Sequence, residues 1–228
     1  MSRVPSPHIK GGKNAPIGKF PYQVSLRLNK SHICSGSILD NLNVLTSAHC
    51  IVGKGVQWNE DLKVHVGTNL LDTPGYVHDV TSITVHQNYD INLYSNDIAL
   101  IHLKYPIRYN KLVQPVKLPT SDEDFLGQLC TLSGWGYGES DFNSILQEIE
   151  SLVCLQSECK EKYWYFIESH ICGLLPRNTS TCNDFGSPLV VNGVQIGIVP
   201  EINSCFQDPF VFTRVSSFLP WITANLEI

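Results

Sequence analysis

The chain has 228 residues, of which 43% are hydrophobic and 16% charged, enough apolar mass for one large β domain or two small ones. Its formal net charge of −5 disfavours nucleic acid as a partner, because phosphate contacts need clustered Lys and Arg side chains. No stretch of about 18 apolar residues occurs, so the sequence predicts no membrane-spanning segment.

The order of apolar and polar residues favours an all-β fold. Residues 1–8 contain no apolar signal core and are interpreted as a leader or propeptide remnant, which leaves 9–228 as the domain. The segments 22–28, 62–66 and 194–198 alternate apolar and polar residues, and Gly, Pro, Asn and Asp interrupt the chain at close intervals. This pattern predicts an antiparallel barrel or sandwich, with possible helices over 157–168 and 215–226.

The cysteines indicate an oxidising compartment. There are eight of them, an even number, and none forms a CxxC pair. The spacing therefore disfavours a zinc site or a thioredoxin-type redox motif and favours a disulfide framework. The sequence predicts a secreted chain with no metal and no cofactor, and it offers two glycosylation sequons, at Asn29 and Asn178.

Six motifs follow one another in a recognisable order. They are Ile-Lys-Gly-Gly at 9–12, Phe-Pro-Tyr-Gln-Val-Ser-Leu at 20–26, Leu-Thr-Ser-Ala-His-Cys at 45–50, Asn-Asp-Ile-Ala-Leu-Ile at 96–101, Leu-Ser-Gly-Trp-Gly at 132–136 and Trp-Ile at 221–222. In this order they resemble the trypsin/chymotrypsin-like serine protease family. Residues 37–40 and 134–137 are most similar to mite group 3 trypsin-like allergens, and the chain also resembles the scabies mite inactivated protease paralogues. The resemblance implies two antiparallel six-stranded β-barrels, an active-site cleft between them and a short C-terminal helix.

The catalytic positions of that family are only partly kept. The resemblance places His49 and Asp97 at the histidine and aspartate of the Ser-His-Asp triad. The serine motif is one residue shorter than usual, and aligning it on its conserved neighbours puts Phe185 where the nucleophile belongs. A phenyl ring has no proton to give to a histidine and no lone pair to attack a carbonyl carbon. Ser187 is the alternative nucleophile, but using it would discard two of the matches that fix the alignment.

The substrate-binding positions differ as well. A glycine whose N–H forms half of the oxyanion hole is replaced by Asn183 or deleted, which predicts an altered hole. The positions of the specificity pocket are occupied by Ser180, Ile202 and Phe210, and a large ring at Phe210 predicts a blocked pocket. The substrate-binding strand carries Pro200, which has no N–H to donate, and Glu201 in place of an aromatic residue.

The resemblance also implies covalent and ionic links. It implies the disulfides Cys34–Cys50, Cys159–Cys172 and Cys182–Cys205. Cys130 and Cys154 lie outside the family pattern, and we predict a bridge between them, with two buried thiols as the alternative. If the chain is cleaved before Ile9, the new ammonium group is expected to pair with Asp184, although His8 makes ordinary tryptic cleavage doubtful.

Together these substitutions predict a protein that is not an enzyme but a catalytically inactive serine protease homologue, or pseudoprotease. The resemblance to the mite paralogues implies a secreted binding protein that interferes with host defence, with host extracellular proteins, among them complement components, as partners. Two alternatives remain open: a residual serine-type hydrolase, and a decoy for protease inhibitors. The filled pocket argues against the decoy, because standard inhibitors insert a side chain there.

Overall fold

Two β-barrels form the body of the protein, which confirms the predicted all-β class. The computed structural model describes residues 12–52, 61–136, 144–176, 184–201 and 209–228. This part of the chain begins with the short strand β1 (Lys13–Asn14). No helix within these ranges is long and apolar enough to cross a membrane.

The first barrel is a closed sheet of six antiparallel strands. These are β2 (Gln23–Leu28), β3 (Ser31–Ile38), β4 (Asn43–Thr46), β5 (Leu62–Val66), β6 (Tyr76–Val85) and β7 (Ala99–Leu103). They close in the order β2-β3-β4-β7-β6-β5. The alternation predicted for 22–28 places Val24 and Leu26 in the barrel core, where both are fully buried. Ser25 on the opposite face is also buried, and its hydroxyl is hydrogen-bonded to the His32 Nδ1.

The second barrel contains the remaining six strands. These are β8 (Leu129–Gly134), β9 (Gln147–Val153), β10 (His170–Leu174), β11 (Pro188–Val191), β12 (Val194–Ile198) and β13 (Phe210–Arg214). They follow the order β9-β10-β13-β12-β11-β8, and the pairing of β8 with β9 closes the ring. Strand β1 adds to the outer side of β9.

Two short helices complete the described fold. Helix α1 (Gln156–Lys162) is shorter than the predicted 157–168, because Tyr163 leaves helical geometry and donates its hydroxyl to the Pro209 carbonyl at 2.9 Å. The C-terminal segment begins as a 3₁₀ turn (Val215–Phe218) and continues as α2 (Leu219–Ala224). The predicted short C-terminal helix is therefore confirmed.

Polar and apolar contacts join the two barrels. Ser133 on β8 donates to the Gln23 side chain on β2 at 2.7 Å, and Ser37 on β3 donates to the Gln195 side chain on β12 at 2.6 Å. All four side chains are buried, so each hydrogen bond offsets the free-energy cost of burying two polar groups. An apolar cluster also spans the barrels and α2, and it contains Leu45, Ile98, Leu100, Ile198, Val215, Phe218 and Ile222.

The cysteines correct one prediction. The structure contains the disulfides Cys34–Cys50 and Cys159–Cys172. Cys182 and Cys205 lie outside the described residues. The predicted bridge between Cys130 and Cys154 is wrong: both are buried thiols, and they lie in different apolar clusters, one inside the second barrel and one beside α1. A disulfide needs neighbouring Cβ atoms, which this arrangement does not provide.

Only one of the two glycosylation sequons lies in the described part of the chain. Asn29 is exposed in the turn between β2 and β3, where its φ is 49°. A left-handed φ is one that Asn adopts more readily than most residues. The Asn178 sequon lies outside the described residues. An oligosaccharide at Asn29 is therefore compatible with the fold.

Candidate functional site

The cleft between the barrels brings His49 and Asp97 into direct contact. His49 lies on a 3₁₀ turn (Ala48–Cys50) directly after β4, and Asp97 lies two residues before β7. Because β4 and β7 are neighbours in the first barrel, their ends hold the two residues together. The His49 Nδ1 and the Asp97 Oδ2 are 2.7 Å apart, and both side chains are buried.

Further hydrogen bonds fix the Asp97 carboxylate. The backbone N–H of His49 donates to Oδ1 at 2.9 Å, and the backbone N–H of Glu201 donates to Oδ2 at 2.8 Å. Burial alone would raise the pKa of Asp97, but the charge and hydrogen bonds of His49, with the Glu201 amide, outweigh it and lower that pKa. Asp97 is therefore held as a carboxylate that orients the imidazole ring, as in the Ser-His-Asp arrangement.

Two contributors to this environment carry no sequence signal. The sequence points only to the side chain of Glu201, whereas the backbone N–H of this residue reaches Asp97. Tyr89 also lies near both acids, and burial first, then the charges of Asp97 and Glu201, raise the pKa of its hydroxyl. Neither contact could be found from the sequence, because each depends on chain segments that meet only in the folded protein.

The ring of Phe185 packs on the other side of His49. The two ring centroids are 4.7 Å apart with an interplanar angle of 85°, an edge-to-face contact. Phe185 is half-buried and contacts the apolar cores of both barrels. The structure therefore brings His49, Asp97 and Phe185 together, with an apolar ring beside the imidazole.

Backbone contacts determine where Phe185 lies. Its carbonyl accepts a hydrogen bond from the Ser35 N–H at 2.8 Å, which ties the loop before β11 to β3. Gly186 follows with a φ of +76°, and an added Cβ would collide with the Ser35 carbonyl and the Thr46 hydroxyl. Only glycine fits this close approach without strain. The loop conformation therefore places the residue 185 side chain in the cleft.

Asp184, the residue before Phe185, is fully enclosed. One carboxylate oxygen accepts a hydrogen bond from the Gly136 N–H at 2.8 Å, and the other has no partner among the described residues. Burial raises the pKa of Asp184 to about 7, against the smaller lowering effect of the Gly136 hydrogen bond. Ile9, the predicted partner, lies outside the described residues.

Ser187, the alternative nucleophile, lies directly before β11. Its side chain is fully buried, and its hydroxyl has no hydrogen-bond partner within the described ranges. The backbone N–H of Ser187 donates to the Asp184 carbonyl at 2.9 Å, and its own carbonyl accepts from the Val199 N–H at 3.0 Å. These bonds tie the residue to the loop before β11 and to the residue that follows β12.

The predicted pocket positions are only partly described. Ser180, Asn183 and Ile202 lie outside the described residues. Phe210 is the first residue of β13, and its ring is buried in the core of the second barrel. Pro200 is buried two residues after the end of β12, and Glu201 is half-buried beside it. A large apolar ring at residue 210 thus faces the interior of the barrel.

One group of side chains has the spacing of a metal site. Cys34, His49 and Cys50 offer ligand atoms within 4.8 Å of one another, the only such group found within the described ranges. The two sulfur atoms form a disulfide and are not thiolates. Because Zn²⁺ binds the thiolate form, the residues as bonded here do not provide a metal site.

Comparisons with known proteins agree with this geometry. The Trypsin family profile matches residues 9–222. The chain is 44% identical to chymotrypsin-2 of Vespa crabro over 221 residues, covering 95% of this chain and 99% of the relative. It is 31% identical to a trypsin of Phaedon cochleariae, covering 98% and 90% respectively. The solved structure of HL collagenase superposes with a TM-score of 0.84 at 30% identity, covering 96% of this chain and all of that one.

These relatives contradict one prediction from the sequence. We predicted that the chain is not an enzyme, whereas the similar proteins are named as a chymotrypsin, a trypsin and a collagenase, and the family they define is one of proteases. The prediction extended substitutions at the nucleophile, oxyanion-hole and pocket positions to the activity of the whole protein. The fold, the ordered motifs and the coverage agree that the chain belongs to the trypsin family of serine proteases.

Proposed function

We propose that this chain is a secreted member of the trypsin family that acts by binding proteins outside the cell, with host serum proteins such as complement components as its targets. The observation that carries the proposal is the Phe185 ring, which packs edge-to-face on His49. At this position the family resemblance implies the nucleophile. The phenyl ring instead presents an apolar surface to the cleft, a surface suited to protein contact.

The proposal of secretion rests on covalent chemistry. Two buried disulfides join β3 to the His49 turn and α1 to β10. Such bonds persist in oxidising compartments and are reduced in the cytosol. The exposed Asn29 sequon in the β2–β3 turn supports the same location, since N-glycans are attached in the secretory pathway.

The choice of complement rests on the resemblance to the mite paralogues, which are associated as a group with interference with host complement. The cleft supports a protein ligand through an apolar ring and a charged side chain. Phe185 is half-buried, and the half-buried Glu201 adds a carboxylate beside Pro200. Because Glu201 also orients Asp97 through its backbone, a change of its side chain alters the cleft charge while leaving that hydrogen bond in place.

Serine-type hydrolysis is the second candidate function. It is favoured by the intact His49–Asp97 pair and by the named activities of the relatives. Residue 185 offers no hydroxyl, so this function requires a different serine. Ser187 is the nearest one along the chain, and its hydroxyl must leave its buried position to reach His49.

Binding is tested by interferometry with the full chain and a panel of purified complement proteins and protein protease inhibitors. We expect saturable binding to at least one complement protein with a Kd on the order of micromolar or tighter. Phe185→Ala and Glu201→Lys are expected to weaken this binding. The same charge reversal at Glu150, an exposed residue of β9, is the matched control and is expected to preserve it. The absence of saturable binding to every complement protein would overturn the proposal, and binding to the inhibitors alone would assign the decoy role.

Hydrolysis is tested in parallel with a serine-directed fluorophosphonate probe and a broad peptide library. Probe labelling that Ser187→Ala abolishes, or peptide cleavage that His49→Ala abolishes, would establish the second candidate. The two assays have separate readouts, because interferometry reports binding, whereas the probe and the peptides report a reactive serine.

A further inference from the structure

Three cysteines share one buried cluster beside α1. Cys159 on α1 is bonded to Cys172 on β10, and both are fully buried. Cys154, which directly follows β9, belongs to the same cluster together with Val211 of β13. Its Sγ lies 3.2 Å from the Sγ of Cys172, so a thiol touches one sulfur of an existing disulfide.

We propose that Cys154 and Cys159 compete for Cys172 by thiol–disulfide exchange. The thiolate of Cys154 attacks the Sγ of Cys172, the Cys154–Cys172 bond forms and the Cys159–Cys172 bond breaks. Cys159 leaves as a thiolate and takes up the proton that Cys154 released. The reaction begins and ends with one disulfide and one thiol, so it needs no oxidant or reductant.

The backbone already holds the attacking and receiving residues together. The Cys154 N–H donates to the Cys172 carbonyl at 3.1 Å, at the point where β9 and β10 separate. Exchange therefore requires rotation of side chains and not a change of strand pairing. The partner that must move away is Cys159 on α1, a helix of 7 residues whose N-cap makes no side-chain hydrogen bond. Such a short helix has little stability of its own.

Cys130 provides an internal contrast. It is also a buried thiol, but it lies inside the second barrel, in a cluster without a disulfide among its described members. Burial raises the pKa of its thiol to about 11. Of these two buried thiols, only Cys154 contacts a disulfide sulfur among the described residues.

Exchange would remove the covalent anchor of α1 and of the aromatic segment 163–166. After exchange this region keeps its non-covalent contacts, which include the hydrogen bond from the Tyr163 hydroxyl to the Pro209 carbonyl. Trp164 in this segment is already 78% exposed. The two pairings therefore give one chain two states, with α1 tied to β10 or released from it.

The exchange is measured on the full chain with Cys130→Ser as background. The protein is incubated at pH 6, 7 and 8, quenched with acid, alkylated and mapped by mass spectrometry. We expect a peptide pair linked through Cys154 and Cys172, with alkylation of Cys159. Its rate of appearance should rise about tenfold per pH unit while the thiol remains mostly protonated, because the thiolate is the nucleophile.

Two variants provide controls. Cys154→Ser should retain only the Cys159–Cys172 pair at every pH. Cys159→Ser, oxidised with glutathione disulfide, should form the Cys154–Cys172 pair. If Cys159 in the wild-type chain remains fully bonded over days at pH 8, the proposal is wrong. That measurement needs no variant at these three positions, so it decides the matter even if Cys159→Ser does not fold.

Discussion

Replacing Asp184 by Asn is expected to stabilise a chain that begins at Met1 above pH 7 and to leave its stability nearly unchanged at pH 3. Burial raises the pKa of Asp184 from 3.8 to about 7 in the folded chain. The stability contributed by the carboxyl is therefore fully present below about pH 4 and is lost as the pH rises through about 7. An Asn side chain keeps an oxygen for the Gly136 N–H and carries no charge at any pH.

The magnitude follows from the two pKa values. They differ by about 3 pH units, and each unit corresponds to about 1.4 kcal/mol, so the wild-type chain should lose about 4 kcal/mol relative to Asp184→Asn between pH 3 and pH 8. For a chain of 228 residues this corresponds to a difference in Tm of roughly 8–16 °C. Differential scanning calorimetry of both proteins over this pH range measures it directly.

The opposite result would refute the reasoning. If Asp184→Asn is the less stable protein at pH 8, then the carboxylate is ionised and paired in the folded chain. A version that begins at Ile9 tests whether the new ammonium group is that partner. There the Asn variant is expected to be destabilised at pH 8, because removing one member of a buried charge pair leaves the other uncompensated.

Three further predictions concern the packing of the cleft and of the first barrel. Phe185→Ala should lower the free energy of unfolding by about 2 kcal/mol, since a half-buried ring loses part of the usual core contribution and its contact with His49. Trp164→Ala, at a position 78% exposed, is the control in urea unfolding and should change stability by less than about 0.5 kcal/mol; equal effects would contradict the assigned packing. Gly186→Ala should cost about 2 kcal/mol or more in the same assay, because residue 186 has a φ of +76° and a Cβ there meets the Ser35 carbonyl; a neutral substitution would show that the loop adopts another conformation. Replacing Cys34 and Cys50 together by Ala should cost about 3 kcal/mol for a loop closed over 16 residues, and a drop in Tm smaller than that of Phe185→Ala would argue against this bridge as a main constraint on the first barrel.

The fold was predictable where the sequence has a strong local period. The segments 62–66 and 194–198 are strands with the predicted bounds, because alternation with period two places one face in a core. Helix α1 was predicted less well. Directly after its observed end lie the aromatic residues 163–166, and contacts of this segment with the cysteine cluster and Pro209 outweigh its helical preference.

The disulfides, too, were predicted only in part. The described disulfides Cys34–Cys50 and Cys159–Cys172 are those that the family resemblance implied. The pairing of Cys130 with Cys154 was inferred only because both lay outside that pattern. The folded chain instead places Cys130 in the core of the second barrel and Cys154 against Cys172.

The sequence by itself determined the class of fold, the identity of residues 49, 97 and 185, and the absence of a hydroxyl at residue 185, because each depends on local pattern or on side-chain chemistry. Only the tertiary structure decided that the Glu201 amide bonds Asp97, that Phe185 joins both barrel cores, and that the Ser187 hydroxyl is enclosed. These features depend on contacts between segments far apart in the chain. Such contacts form when the two barrels pack, and no local pattern of residues records them.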